Sequence, residues 1–228
     1  MPTRANALAV MAKAPVSGSV KTRLVPPLTH EQAAELYRSL LLDQLEHLIS
    51  FDIADLYVAF TPTDSKAVIE NIVPAAYQCF PQRGGDLGQR MKDVFAELWR
   101  RGHRNLILIG SDLPPVPIDT LHEGFVYLSP SDKRVVLGPS HDGGYYLVGM
   151  SQPVPEIFFG MTWSHNHVLA ETTEKLARLD IDFHLVREWF DIDTVEDIEH
   201  LRTATDPSTR ASMKRTLACL QQFVGVGR

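Results

Sequence analysis

The sequence has little cysteine and no long apolar run, and these two absences exclude several classes of protein. Its two cysteines, Cys79 and Cys219, are too few for a disulfide framework, and without a CxxC pair they do not form a cysteine zinc motif. No apolar run approaches the roughly 18 residues of a membrane-spanning helix, and the run at residues 7–12 is too short for a secretory signal. We therefore expect a cytoplasmic protein with no membrane partner.

Familiar cofactor and nucleophile motifs are absent as well. The sequence has no GxGxxG dinucleotide fingerprint and no GxSxG nucleophile elbow, and Val20 precedes Lys21 where a P-loop requires glycine. The 22 Lys and Arg residues against 28 Asp and Glu residues give a formal net charge of −6, which argues against a general nucleic-acid binder. We therefore expect no nucleic-acid partner, and the sequence leaves the oligomeric state open.

Apolar periodicity predicts an alternation of strands and helices. Short apolar runs predict strands at 8–12, 55–60, 77–80, 105–110, 135–138, 145–148 and 183–186. Helical spacing predicts helices after a Thr29/Gln32 capping box, at 64–71, after Asp86, at 117–128 and 164–179, after Thr194, and a last one after Asp206. The caps predicted for the 64–71 and 164–179 helices are Asp64 and Ser164. Strands separated by helices are typical of an α/β fold with a mostly parallel sheet, and we expect one domain over residues 1–228.

The loop after the first strand is rich in cations. In sheets of this kind ligands bind beyond the carboxyl ends of the strands, and residues 13–23 follow the first strand. They place Lys13, Lys21 and Arg23 around the flexible Gly18. Backbone N–H groups at a glycine turn, backed by cations, can bind phosphates, whereas the alternative is a solvated basic loop. The position after the first strand favours a phosphate site.

Acidic residues follow two other predicted strands. Asp112 comes just past the strand at 105–110, where a carboxylate can hold Mg²⁺ or Mn²⁺ while substrate phosphates fill other positions. Asp191 and Asp193 flank Ile192, and residues i and i+2 of an extended segment share a face, so both carboxylates can point into a cleft. The alternatives stay open, because Asp112 can form a turn and the later pair can cap a helix.

Two glycine-rich loops complete the candidates. The turn Asp142-Gly143-Gly144-Tyr145 lets the backbone approach a ligand closely, although a plain hairpin turn explains it equally well. In the loop 83–90, glycines precede a helix N-terminus, which is either an anion or nucleotide contact or a simple cap.

Taken in order, these loops resemble one family. Its motifs are matched by Lys13-Ala-Pro, Gly18, Lys21-Thr-Arg-Leu24, Gly85-Asp-Leu-Gly, Arg90-Met91, Gly110-Ser-Asp-Leu-Pro114, Asp142-Gly-Gly-Tyr-Tyr-Leu-Val-Gly149 and Asp191-Ile-Asp-Thr. Over about residues 7–201 the chain resembles GT-A-fold, nucleotide-diphospho-sugar-transferase-like proteins of bacteria, many of them labelled as glycosyltransferases. It is more distantly similar to the guanylyltransferases of molybdenum-cofactor and phospholactate metabolism. The resemblance implies one Rossmann-like GT-A domain, with a mostly parallel mixed sheet flanked by helices, and leaves residues 206–228 outside the match.

The resemblance also implies roles for individual residues. The nucleotide would contact Lys13, Gly18, Lys21, Arg23, Gly85, Asp86 and Arg90. The metal, Mg²⁺ or Mn²⁺, would be held by Asp112, Asp191 and Asp193, with Gly110 where a strict DxD motif has its first acid. The acceptor would lie against Asp142, Gly143, Gly144 and Tyr145. The catalytic residues would be Asp112, Lys21 and Arg23, because the metal and the two cations neutralise the leaving group from opposite sides.

Three functions follow as hypotheses. The family favours a metal-dependent glycosyltransferase that uses a nucleotide-diphospho-sugar donor and a small-molecule acceptor. The cation-rich first loop favours a nucleotidyltransferase, which would join a nucleoside triphosphate to a small phosphorylated acceptor and release pyrophosphate. A nucleotide-binding protein without turnover is the third hypothesis, and it predicts binding that needs no metal.

Overall fold

Seven strands form the centre of the fold. The structure, a computed structural model, describes residues 4–130, 132–204 and 206–223. Its strands are β1 (Asn6–Lys13), β2 (Asp55–Thr61), β3 (Gln78–Pro81), β4 (Asn105–Ile109), β5 (Arg134–Pro139), β6 (Tyr145–Met150) and β7 (Asp182–Leu185). They form one sheet in the order β3-β2-β1-β4-β6-β5-β7. Of these strands β6 runs antiparallel to its neighbours and the other pairings are parallel, which confirms the predicted mixed sheet.

Helices cover both faces of this sheet. They are α1 (His30–Leu48), α2 (Lys66–Glu70), α3 (Leu87–Arg100), α4 (Ile118–Leu128), α5 (Val168–Arg178), α6 (Val195–Ala204), α7 (Pro207–Ala211) and α8 (Lys214–Gln222). Successive strand residues enter different cores, because they point to opposite faces. Leu8 and Val10 pack with α1, α4, α6 and α8, whereas Ala7 and Ala9 pack with α3 and α5. Burial on both faces explains why the strands read as continuous apolar runs.

No helix in the described ranges combines the length and the apolar character needed to cross a bilayer.

Two helix starts follow the predicted capping patterns. Thr29 Oγ1 accepts a hydrogen bond from the Gln32 N–H at 3.2 Å, and Gln32 Oε1 accepts one from the Thr29 N–H at 2.8 Å. Thr194 Oγ1 accepts from the Asp197 N–H at 3.3 Å at the start of α6. Such bonds satisfy N–H donors that the first helical turn leaves open.

Three other expectations about helices are wrong. Ser164 does not cap a helix, because its backbone is left-handed (φ 68°) and α5 begins only at Val168, after His167. Asp64 lies within a 3₁₀ turn that precedes α2. The last predicted helix is two helices, α7 and α8, because the backbone of Met213 leaves the helical region (φ −107°, ψ 35°).

The topology brings four loops to one edge of the sheet. β1 and β4 are parallel neighbours, so the cation-rich loop and Asp112 both follow their carboxyl ends. Because β6 runs in the opposite direction, the turn between β5 and β6 lies at this same edge. The chain after β7 returns there through a parallel bridge between Ser140 and Trp189. The candidate residues of these four loops therefore lie at one edge of the sheet.

Candidate active site

A cavity of about 490 Å³ opens at this edge of the sheet. Its volume falls within the range usual for small-molecule sites, roughly 300–1,000 Å³. Its charged lining residues are Lys13, Lys21, Arg23, Asp112, Asp142, Asp191 and Asp193. The apolar and aromatic lining residues include Met11, Leu87, Met91, Leu108, Tyr145, Tyr146, Val148, Trp163 and Val168. The cavity therefore has an ionic part next to an apolar part.

Lys21 is the central residue of the ionic part. Its Nζ donates to Asp112 Oδ2 at 3.0 Å, to Asp193 Oδ1 at 2.8 Å and to the Asp112 carbonyl at 3.3 Å. The Lys21 side chain is 2% exposed, whereas those of Asp112 and Asp193 are 39% and 41% exposed. Its backbone is left-handed (φ 50°), a conformation that costs a non-glycine residue energy and is concentrated at functional sites. The first and last acidic loops thus meet at one buried ammonium group.

The charges of these groups stabilise one another. Burial by itself lowers the pKa of Lys21, but the neighbouring Asp112 and Asp193 carboxylates outweigh burial and raise that pKa above the ordinary lysine value. Burial raises the pKa of Asp112, and the charge and hydrogen bond of Lys21 outweigh it, so that the net pKa is lowered. Lys21 is therefore cationic and Asp112 anionic at neutral pH.

Asp191 has a different environment from Asp193. Its Oδ2 accepts a hydrogen bond from Ser140 Oγ at 3.0 Å. Burial, followed by the charge of Asp112, raises the pKa of Asp191 to about 7. Ile192 between the two acids is fully buried, as the alternation predicted, and both carboxylates line the cavity. Asp191 is thus a carboxylate that a further positive charge would stabilise.

The first loop lies beside this ionic cluster. Arg23 is mostly exposed, with its side chain 70% accessible, and its Nη1 lies 3.7 Å from Asp193 Oδ2. The main chain of Lys13 donates to the hydroxyl of Tyr37 at 2.8 Å. Gly18 has a left-handed backbone (φ 77°) and is not among the residues that line the cavity. The three predicted cations therefore face one space, while Gly18 shapes the loop behind them.

The loop before α3 meets the cavity through its helix rather than through its glycines. Leu87 and Met91 line the cavity, whereas Gly85, Asp86 and Arg90 do not. Asp86 caps α3 by accepting from the Gln89 N–H at 2.8 Å, and Arg90 Nε donates to the Gly84 carbonyl at 3.2 Å. These polar groups are engaged within their own loop, and their nucleotide role stays a prediction.

The turn between β5 and β6 supplies another wall. Asp142, Gly144 and Tyr145 line the cavity. Asp142 Oδ1 accepts from the Gly144 N–H at 2.9 Å, which fixes the turn. Gly143 lies behind it with φ 84°, and a Cβ there would come within 2.1 Å of the Asn166 carbonyl oxygen. Gly143 is thus required by close backbone packing.

Several residues of the site carry no signal in the sequence. Tyr37, on α1, places its buried hydroxyl 2.8 Å from Ser111 Oγ beside Asp112, and burial raises its pKa above the ordinary tyrosine value. Ser140 bonds Asp191, as described above. Trp163 precedes the segment 164–179 that was expected to be helical, His165 lies within that segment, and both line the cavity. Only the tertiary fold brings these residues next to the motifs.

A divalent cation fits the donor chemistry of this cluster. No group of three His, Cys, Asp or Glu side chains within the described ranges is already arranged to hold a metal ion. Asp112 and Asp193 nevertheless converge on one cationic atom, Lys21 Nζ, at 3.0 and 2.8 Å, and the partly charged Asp191 faces the same cavity. Carboxylate oxygens are the ligands that Mg²⁺ and Mn²⁺ prefer. The residues therefore fit such an ion once Lys21 moves.

The fold places the protein in a known structural class. The mixed sheet with helices on both faces is that of the nucleotide-diphospho-sugar transferases. The structure superposes on a "putative nucleotide-diphospho-sugar transferase" from Desulfovibrio desulfuricans G20 with a TM-score of 0.85 and 30% sequence identity, covering 97% of this chain and 99% of that one. The resemblance noted from the motifs is thus confirmed.

The chain belongs to the DUF2064 family, described as an uncharacterized protein conserved in bacteria, whose model matches residues 44–165. Two more distant structures share the fold. Rv0371c from Mycobacterium tuberculosis H37Rv has a TM-score of 0.51 and 15% identity, over 88% of this chain and 98% of that one. The 4-diphosphocytidyl-2C-methyl-D-erythritol synthase of Anaerococcus prevotii DSM 20548 has a TM-score of 0.53 and 11% identity, over 86% and 94%. No curated protein matches the chain.

Proposed function

We propose that this protein is a metal-dependent transferase that uses a nucleotide-activated donor, most simply a glycosyltransferase with a nucleotide-diphospho-sugar donor. The observation that carries the proposal is the convergence of Asp112 and Asp193 on Lys21 Nζ in a cavity of about 490 Å³. Carboxylates for a metal and cations for phosphates are the two requirements of diphosphate chemistry. The relationship to the Desulfovibrio protein supports the choice of donor.

The cations of the first loop would bind the donor phosphates. A departing nucleoside diphosphate gains negative charge in the transition state, and Lys13, Lys21 and Arg23 face the space that it would occupy. Before the reaction the two carboxylates hold Lys21 Nζ at the cavity, and the main chain of Lys13 is fixed by its bond to Tyr37. Losing one such preorganised contact typically costs about 3 kcal/mol of barrier.

The carboxylates would hold Mg²⁺ or Mn²⁺. Asp112 and Asp193 are the first ligands to expect, with Asp191 beside them. When bound, the ion would neutralise the phosphate oxygens as a Lewis acid. Ser140 would orient Asp191 through its 3.0 Å hydrogen bond, the kind of support that ligating carboxylates commonly receive.

The acceptor would lie against the turn between β5 and β6. Asp142 and Tyr145 face the cavity there, and Trp163 and His165 extend the same wall. The hydrogen bond from the Gly144 N–H to Asp142 Oδ1 fixes the conformation of this wall. A rigid wall can hold the acceptor in line with the donor without rearrangement.

The number of cations favours a second candidate, nucleotidyl transfer. Lys13, Lys21 and Arg23 all line one cavity, and a triphosphate requires more positive charge than a diphosphate. In that reaction a small phosphorylated acceptor would attack the nucleoside triphosphate and release pyrophosphate.

The experiment that separates these reactions measures what is released. The purified protein would be incubated with Mn²⁺ or Mg²⁺ and a panel of nucleotide sugars, nucleoside triphosphates and phosphorylated acceptors, with Asp112→Asn as the matched inactive control. Release of a nucleoside phosphate from a nucleotide sugar supports glycosyl transfer, and release of pyrophosphate supports nucleotidyl transfer. Nucleotides that raise the melting temperature without any metal or product would instead support binding without turnover.

A further inference from the structure

Lys21 occupies the position between the two carboxylates that are proposed to hold the metal. Its Nζ lies 3.0 Å from Asp112 Oδ2 and 2.8 Å from Asp193 Oδ1, and its side chain is almost fully buried. Arg23, in contrast, is 70% exposed and reaches only to 3.7 Å from the other oxygen of Asp193. Lys21 is therefore the cation that neutralises this carboxylate pair.

A divalent ion and the Lys21 ammonium cannot share this place. Mg²⁺ binds carboxylate oxygens at about 2.0–2.1 Å, and two cations on the same pair of oxygens would repel each other strongly. Lys21 donates a third bond to the Asp112 carbonyl, so it is fixed at the pair from two directions. Metal binding through these two oxygens, Asp112 Oδ2 and Asp193 Oδ1, therefore requires the ammonium group to leave.

The cavity offers the ammonium group another position. The two carboxylates are 39% and 41% exposed, and they line the same cavity as Lys21. The side chain has a flexible four-carbon stem, so Nζ can move while the main chain of the loop remains in place. Phosphate oxygens of a bound nucleotide would give Nζ a new anionic partner.

We propose that Lys21 is a built-in counter-ion that competes with the divalent cation, so that the cation binds weakly alone and tightly only when nucleotide phosphates draw Lys21 away. This inference rests on the proposed function for the identity of the nucleotide and the metal. It gives Lys21 control over metal binding in addition to its contact with the phosphates, and it makes the binding of metal and nucleotide mutually favourable, as linkage requires.

Calorimetry with Mn²⁺ alone tests the competition. Lys21→Met removes the ammonium group and keeps an apolar stem, and it should bind Mn²⁺ about tenfold more tightly than the wild type, a change within the range usual for coupled sites. Lys21→Arg, which keeps a charge, should show no comparable gain. Arg23→Met removes a charge from the same loop and should change the affinity much less. Equal Mn²⁺ affinity in Lys21→Met and the wild type would overturn the proposal.

The melting temperature gives a second test, which applies even if Lys21→Met is less stable than the wild type. Without its counter-ion the carboxylate pair repels itself, so Mn²⁺ should raise the melting temperature of Lys21→Met more than that of the wild type. An equal rise in both proteins would contradict the competition. The nucleotide panel tests the proposed function separately. If no nucleotide binds, the proposed function fails, but a higher Mn²⁺ affinity in Lys21→Met would still support the competition.

Discussion

The main-chain N–H of Ile192 donates a 2.9 Å hydrogen bond to the main-chain carbonyl of Asp112. This bond joins the loop after β4 to the loop before α6, and the fully buried Ile192 anchors it in the core. The carboxylates of Asp112 and Asp193 are therefore held near each other by backbone, even though each side chain is repelled by the other's charge. Lys21 neutralises the pair that this backbone contact creates.

Replacing Asp112 tests the metal role. Asp112→Asn keeps the shape of the side chain and removes its charge, so metal-dependent nucleotide binding should weaken about 100-fold, since removing one partner of a charge pair that includes the buried Lys21 costs roughly 2–5 kcal/mol. Calorimetry with and without Mg²⁺ measures this. Asp132→Ala, at a side chain that is 74% exposed, is the control and should bind as the wild type does. Unchanged metal-dependent affinity in Asp112→Asn would remove Asp112 from the site.

Salt distinguishes the two cations of the first loop. Arg23 is 70% exposed, so its contribution to nucleotide binding should be screened, and Arg23→Ala should weaken binding more at low salt than at high salt. Lys21 is buried, so the loss in Lys21→Ala should persist at high salt. Titrations at about 0.05 M and about 0.5 M salt compare them. Identical salt dependence in both variants would contradict the difference in burial.

Gly143 should be far less tolerant of a side chain than Gly18. Both have left-handed backbones, at 84° and 77°, but a Cβ at Gly143 would meet the Asn166 carbonyl oxygen at 2.1 Å, whereas one at Gly18 meets nothing within 4 Å. Gly18→Ala should lower the free energy of unfolding by about 1–2 kcal/mol, from backbone strain alone. Gly143→Ala should cost about 1–3 kcal/mol more, because it also overpacks the loop. Urea denaturation measures both, and equal losses would refute the expected clash.

Asp43 should stabilise the C-terminal helix α8. This buried carboxylate on α1 accepts from the main-chain N–H groups of Arg215 at 3.2 Å and Thr216 at 2.8 Å, so it acts as a cap supplied by another helix. Asp43→Ala should lower the free energy of unfolding by about 1–3 kcal/mol, because these donors lose their partner. Glu46→Ala removes the exposed partner of the same Arg215 and should cost clearly less, because water screens an exposed ion pair. A larger loss in Glu46→Ala than in Asp43→Ala would contradict this.

His47 should make the fold sensitive to mild acid. Burial lowers the pKa of His47, whose Nε2 lies 3.0 Å from the Val116 carbonyl oxygen. The unfolded chain therefore takes up this proton at higher pH than the folded chain does, and stability should be lost as the pH falls below about 6.5. Between about pH 7.5 and 5.5, the wild type should lose more unfolding free energy than His47→Asn does. Equal losses would show that His47 does not contribute.

Much of the fold could be predicted from the sequence because buried strands and capped helices have local signatures. The apolar runs that became β1 and β4 are continuous, and the Thr29 and Gln32 capping box is formed by neighbours in the chain. The rule that ligands bind at the carboxyl ends of strands then directed attention to Asp112 and to the first loop. These inferences needed no knowledge of distant contacts.

What could not be predicted depends on contacts between distant residues. Ser164 is a good helix cap by residue type, but its left-handed backbone belongs to a loop whose Trp163 packs against Gly88. Lys21 lies between the carboxylates of Asp112 and Asp193, which are 91 and 172 positions further along the chain. Tyr37 lies on α1 and Ser140 follows β5, and the sequence around them predicts only a buried helix face and a turn. Polar residues that support a site in this way become visible once the chain is folded.

The antiparallel strand β6 brings a second set of cavity residues to the edge of the sheet where the first loop and Asp112 lie. The cations and Asp112 lie in the loops after β1 and β4, whereas the turn entering β6 carries Asp142, Gly144 and Tyr145. This turn connects two adjacent antiparallel strands, so its exposed residues can change while the sheet register and the packing of Gly143 stay the same. Under the proposed function, grafting the exposed turn residues of a relative onto this chain should exchange the second substrate and leave nucleotide binding intact.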